Sequence, residues 1–156
     1  MSPSRSLPHF GRGSTIAGVT DLVDHLRAAS LDVFEDEPVI AAYLYGSQAD
    51  GSATPRSDTD VAVLLKEHID IDTLKLRLRL GRKFEELVGG NVDLIVLDEA
   101  PLALRGRVQE WGRRFYCSDD ERRVRYESLV SRMFHDFKVH EERSAIERIA
   151  AIARRS

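Results

Sequence analysis

The seven residues Val39-Ile40-Ala41-Ala42-Tyr43-Leu44-Tyr45 are all apolar or aromatic, and they run directly into Gly46-Ser47. So short a run, rich in strand formers and bounded by Pro38 and Gly46, predicts a buried β-strand. A glycine directly after such a strand lets the backbone turn tightly and lets a ligand approach its amides. A second strand is predicted over 58–65, with Asp58, Asp60 and Ala62 on one face and Thr59, Val61 and Val63 on the other. A third is predicted over 92–97, headed by Asp93.

Helices fill the intervals. Thr20 is suited to cap one running toward Ala29, which Glu35-Asp36-Glu37-Pro38 then breaks. Residues 69–88 have helical spacing, with Leu74, Leu78 and Leu87 among the apolar positions, and Gly89-Gly90 stops them. Pro101 opens a helix through Trp111, and 114–117 reads as a short extended piece. Ser118 and Glu121 form a capping-box pattern at the head of a long charged helix reaching Ile152. The expected fold is α/β (α+β): a small mixed β-sheet flanked by helices, with a helical C-terminal arm. The expected division is a flexible leader over 1–14, a core over 15–104 and the arm over 105–156.

Composition narrows the class. The content is 42% hydrophobic and 31% charged, as in a globular protein, and no apolar run approaches a membrane span. The Ser- and Pro-containing N-terminus has no apolar centre, which argues against a secretory signal. The single Cys117 completes neither an internal disulfide nor a zinc pattern, so a reducing, cytoplasmic setting is expected. Charge is divided: up to Leu104 there are 10 Lys/Arg against 17 Asp/Glu, and from Arg105 onward 13 against 9. The basic tail reads as a solvated helix face, not as a nucleic-acid surface, although Arg122, Arg123 and Arg125 could meet an acidic partner. The apolar arm residues Val124, Leu129, Phe134 and Phe137 are expected to be only partly covered, and Trp111, Phe115 and Tyr116 to form the seam between arm and core.

Three features carry the chemistry. Gly46-Ser47 after a buried strand offers backbone amides and a hydroxyl to an anion. Asp58 and Asp60 project together, and two close carboxylates repel unless a cation or a proton lies between them. Mg²⁺ takes oxygen ligands and is typically held by one or two carboxylates plus phosphates and water. Asp93, on a strand next to that pair, could reach the same metal and deprotonate an attacking hydroxyl. Each feature alone has an ordinary structural reading: a turn, a solvated strand edge, a polar strand end. The five histidines, His9, His25, His68, His135 and His140, show no paired metal spacing.

Taken together, Gly46-Ser47-Gln48-Ala49-Asp50-Gly51, then Ser57-Asp58-Thr59-Asp60, then Asp93 resemble the DNA polymerase β-like nucleotidyltransferase superfamily. The match covers 43–97. Within that superfamily the short chain looks like the MNT (minimal nucleotidyltransferase) proteins, commonly the antitoxins of HEPN–MNT toxin–antitoxin pairs; 105–122 is similar to their C-terminal arm more loosely. The resemblance implies ATP as donor, two Mg²⁺ ions, and transfer of a nucleoside monophosphate to a hydroxyl with release of pyrophosphate. The implied acceptor is a tyrosine of a HEPN RNase toxin, silenced by adenylylation. It further implies that Gly46 and Ser47, with Ser57, hold the nucleotide, that Asp58 and Asp60 bind metal, and that Asp93 joins one metal and activates the acceptor. Asp50 departs from the pattern, because it stands where relatives often carry Arg or Lys. The chain has no Arg separated by four to six residues from a following His, the HEPN nuclease pattern, so it is not expected to be the toxin. Two other readings stay open: an antitoxin that neutralises by contact alone, and a small-molecule nucleotidyltransferase of the aminoglycoside-modifying type.

Overall fold

The run 39–45 is strand β1 (Val39–Tyr45), and its first six residues are buried because it lies inside the sheet. The structure is a computed structural model that describes residues 18–54 and 57–155; the predicted leader and His9 lie outside them. With β2 (Thr59–Leu65), β3 (Val92–Val96) and β4 (Arg113–Cys117), β1 forms a four-stranded sheet ordered β3-β2-β1-β4. β1 runs antiparallel to both neighbours, whereas β2 and β3 are parallel, so the sheet is mixed as expected.

Both faces are covered. On one lie α1 (Val19–Val33) and α3 (Thr73–Val88), which bury Leu22, Leu26, Leu76, Leu80 and Phe84 against Leu44, Val61 and Val63. Also on this side is the one-turn helix α2 (Ser47–Asp50), through its buried Ala49. On the other lie α4 (Leu102–Trp111) and α5 (Asp120–Arg154), which bring Val108, Tyr126 and Val130 onto Ile40, Tyr43, Ala62 and Leu64. The alternation predicted for β2 is therefore real: Val61 and Val63 join the first cluster and Ala62 the second.

Several local expectations are corrected. α1 starts after Gly18 rather than at a Thr20 cap, and it continues past Ala29 to Val33. α3 starts at Thr73, not at 69, because the Asp72 carboxylate accepts from the Lys75 N–H at 3.1 Å. Its leucines alternate in sequence, but the helical period buries Leu76 and Leu80, with Phe84, against the sheet, and packs the half-buried Leu87 on the same cluster. Leu74 and Leu78 are 60% and 61% exposed. Gly89 does stop α3, in the left-handed region at φ 70°. Asp119, not Ser118, caps α5, its carboxylate accepting from Arg122 N–H at 2.9 Å.

The seam also differs. Trp111 is 72% exposed, whereas Phe115 and Tyr116 pack on Phe34 with ring centroids 6.4 and 4.6 Å away. Phe134 is buried, because Gly106 on α4 leaves room for its ring: a Cβ there would lie 2.2 Å from it. Val124, Leu129 and Phe137 remain exposed.

Candidate active site at the Gly46 turn

β1 ends where β2 begins, and three side chains line up across that end of the sheet. Tyr45 is paired with Asp60, and Asp60 with Asp93. Residues directly opposite in a ladder share a face, so Tyr45, Asp60 and Asp93 form one row over three strands. Asp58, two residues before Asp60, extends the row beyond the start of β2. This row lies on the α4–α5 side of the sheet, where Tyr45 and Ile95 pack at the margin of the apolar cluster.

Gly46 closes the row from β1. Its backbone (φ 70°, ψ −152°) lies in a region essentially reserved for glycine. A Cβ there would meet Asp60 Oδ2 at 2.3 Å. The predicted tight turn is thus also a contact between the turn and the central acid. The carbonyl of Gly46 accepts from the Ala49 and Asp50 N–H groups. The amides of Ser47 and Gln48 precede the first bond of that turn, as at any helix start.

The electrostatics match the geometry. Asp60 is half-buried, and its pKa is raised by burial first, then by Asp93 and Asp58. The Tyr45 phenol is pushed well above its usual value by burial, then by Asp60 and Asp93, with Arg77 pulling the other way. The acids therefore lie within range of one another. Among the described residues no group of three or more His, Cys, Asp or Glu side chains is gathered tightly enough to cage an ion. The donor set fits Mg²⁺ nonetheless: it is all carboxylate oxygen, crowded enough to favour a cation, and Mg²⁺ completes its shell with phosphates and water.

The loop beyond α2 is held by its own side chains. Asp50 Oδ1 accepts from Ser52 N–H at 2.8 Å and from Ser52 O–H at 2.5 Å. Ser57 Oγ accepts from Thr54 N–H at 2.8 Å, so this predicted nucleotide ligand braces the loop in the present state. Arg113, at the start of β4, donates from Nε to the Ala49 carbonyl at 3.3 Å. Sequence reasoning did not single out Arg113, because only β1–β4 pairing brings it to the turn.

The other basic residues that were singled out pair within the chain. Arg122 bonds Asp98 at 3.0 Å, Arg123 bonds Glu127 at 2.8 Å, and Arg125 approaches Glu67 at 3.5 Å. A cavity of about 430 Å³ beside Leu65, Asp98 and Arg122 lies at the far end of β2, roughly 20 Å of strand away from the acids. It takes no part in the row. His25 meets the Leu87 carbonyl at 3.1 Å, also outside the row.

The family model described as polymerase beta, nucleotidyltransferase matches residues 31–121, more than half of the chain. The chain belongs to this nucleotidyltransferase family. Solved structures show the same fold. A chain of a toxin–antitoxin complex with AMP-PNP is 24% identical with a TM-score of 0.61, covering 77% of this chain and 94% of that one. A chain of the MntA-HepT toxin–antitoxin complex is 22% identical with a TM-score of 0.56, covering 77% and 92%. A chain of the tri-AMPylated Shewanella oneidensis HEPN toxin in complex with MNT antitoxin is 21% identical with a TM-score of 0.57, covering 80% and 94%. No curated protein matches the sequence. The Gly46 turn and the adjoining row of acids both lie within the matched residues.

Proposed function

We propose that this nucleotidyltransferase moves AMP from ATP to a tyrosine hydroxyl of a HEPN-family RNase toxin and so serves as that toxin's antitoxin. The observation that carries this reading is the row Tyr45–Asp60–Asp93 closed by Gly46, which puts a backbone turn and coupled carboxylates at one sheet end. The fold similarity to toxin–antitoxin complexes, one with AMP-PNP and one with an AMPylated toxin, supports the choice of donor and acceptor.

On this reading the amides and hydroxyl at Gly46-Ser47, with Ser57, receive the triphosphate. Asp58, Asp60 and Asp93 would hold two Mg²⁺ ions, which when bound would supply charge neutralisation on the phosphates and Lewis acidity. Asp93, exposed at the margin of the row, takes the proton of the acceptor hydroxyl. The acceptor oxygen bonds to the α-phosphorus, the bond from that phosphorus to the bridging oxygen breaks, and pyrophosphate leaves. Residues 15–104 then carry the chemistry, and the arm over 105–156 faces the partner with the part of α5 beyond Lys138, while β4 and the first turns of α5 complete the sheet and its cover. No helix among the described residues is long and apolar enough to cross a membrane. We place the protein in the cytoplasm, where ATP and the toxin's RNA substrates are found.

The test is labelling of a co-expressed HEPN partner with α-³²P-ATP. Wild type transfers label, and Asp93→Asn transfers less by about two orders of magnitude or more, while still binding ATP. Equal labelling by the variant removes Asp93 from the mechanism. A second reading, neutralisation by contact, draws on the exposed Leu129, Met133 and Phe137 of α5. It predicts that a variant unable to label still protects cells from the toxin.

A further inference from the structure

We infer that Trp111, in the last turn of α4, is the stacking platform for the base of the nucleotide whose phosphates the Gly46 turn receives. This rests on the reading above that the turn and the acid row take ATP. α4 lies on the same face of the sheet as Tyr45, Asp60 and Asp93. Its Val108 is buried in the cluster with Tyr43 and Ala62, and its Leu104 packs on that cluster as Tyr45 and Ile95 do. Leu104, Val108 and Trp111 stand at i, i+4 and i+7, so they form one stripe of α4, the stripe that faces the sheet. Gly106, which backs the Phe134 ring, and Gln109, which donates to the Glu127 carbonyl at 2.7 Å, meet α5 from the opposite side of the helix. The indole is therefore turned away from α5 and toward the sheet.

At that level the sheet presents the row. Arg113 is paired with Leu44, the residue before Tyr45, and a Cβ on Gly112 would lie 3.4 Å from the Leu44 carbonyl oxygen. The last turn of α4 thus ends against β1, beside the first member of the row. Leu104 and Val108 find apolar cover, whereas Trp111 is 72% exposed, the most exposed aromatic among the described residues. Tyr45 and then carboxylates continue the sheet face at this end, and carboxylates give an indole no apolar cover. A nucleotide supplies the missing layer. With its phosphates at the turn and the acids, its flat, uncharged base comes within reach of the row's margin, where the indole offers a π face. Stacking of a base on an aromatic side chain is a substantial part of binding and is tolerant of which base it is, because every base has a π face.

Trp111 is the only tryptophan of the chain, so its fluorescence reports on this contact in the unaltered protein. Excited at the red edge of its absorption, where adenine does not absorb, it is expected to be quenched saturably by Mg-ATP. Mg-tripolyphosphate, which carries the phosphates without a nucleoside, is expected to leave it unchanged. Calorimetry with the same two ligands is then compared for wild type, Trp111→Ala and Trp111→Phe. Trp111→Ala is expected to bind Mg-ATP about tenfold more weakly while Mg-tripolyphosphate changes by about twofold or less, since only the stack is lost. Trp111→Phe keeps a π face and holds Mg-ATP within about threefold of wild type. Equal quenching by the two ligands, unchanged Mg-ATP binding by Trp111→Ala, equal losses for both ligands, or a Phe variant as weak as the Ala variant overturns the inference. Loss of toxin co-purification by Trp111→Ala with Mg-ATP binding intact assigns the indole to the toxin and overturns it as well. Wild type that binds neither ligand instead overturns the parent reading.

Discussion

Gly46 and Asp60 are in contact so close that no side chain fits between them: a Cβ on Gly46 would stand 2.3 Å from Asp60 Oδ2. The glycine serves two ends at once, because its backbone conformation and the space it leaves both depend on having no Cβ. Gly46→Ala is expected to cost about 1–3 kcal/mol from backbone strain alone, and to push the Asp60 carboxylate out of the row. Thermal unfolding checks this: Tm falls in the variant, and the gain from Mg-ATP disappears with it.

Wild type should be stabilised by ATP and Mg²⁺ together, because a ligand bound only by the native state adds free energy as its concentration exceeds Kd. The gain is about 2.7 kcal/mol at a hundredfold excess over Kd. Asp58→Ala should abolish it. A wild-type Tm unmoved by millimolar Mg-ATP would count against a working nucleotide site.

Asp60 supplies a pH test. Its folded pKa is raised by burial and by Asp93 and Asp58, so the native state holds this proton more tightly than the unfolded chain does. The ionised carboxylate therefore opposes folding above its folded pKa, and that penalty fades as pH falls from there toward the ordinary Asp value near about 3.9. Asp60→Asn should raise the Tm of the metal-free protein at neutral pH, and the advantage should shrink on acidification. The same variant should lose the Mg-ATP gain. A variant less stable than wild type at pH 7 without metal would contradict the crowding of the acids.

The arm tests where the core ends. Tyr126, Val130 and Phe134 are buried on the sheet and α4, so truncation after Ser118 should uncover Ile40, Ala62 and Leu64 and remove cooperative unfolding. The Lys138–Glu110 pair at 2.6 Å ties α5 to α4, and Ile146, Ile149 and Ile152 beyond it are each at least 67% exposed. Truncation after Lys138 should leave a cooperatively folding, ATP-binding protein. If the last part of α5 meets the toxin, co-purification is lost in this shorter form. If it persists, the partner surface lies elsewhere.

What the chain determines by itself is local. Val39–Tyr45 could only be a strand, because seven consecutive apolar and aromatic residues between Pro38 and Gly46 are too few for a stable helix and need cover on both faces. The Asp58/Asp60 alternation and the Gly89 stop depend on the strand period and on the left-handed tolerance of glycine, and both are visible in short windows of residues. Even the motif was legible, since its spacing spans a single turn and the strand after it. Tertiary structure decided everything that needs a register. Asp93 faces Asp60 because β3 pairs parallel with β2 at one setting, and a shift of one residue would turn it to the other face. Trp111 is exposed although it is the largest aromatic near the seam, because α4 ends just as β4 turns back onto β1, leaving Phe115 to fill the space. Arg113 reaches the 46–51 turn for the same reason: strands far apart in sequence become neighbours only when long-range pairing offsets the entropy of closing the loop between them.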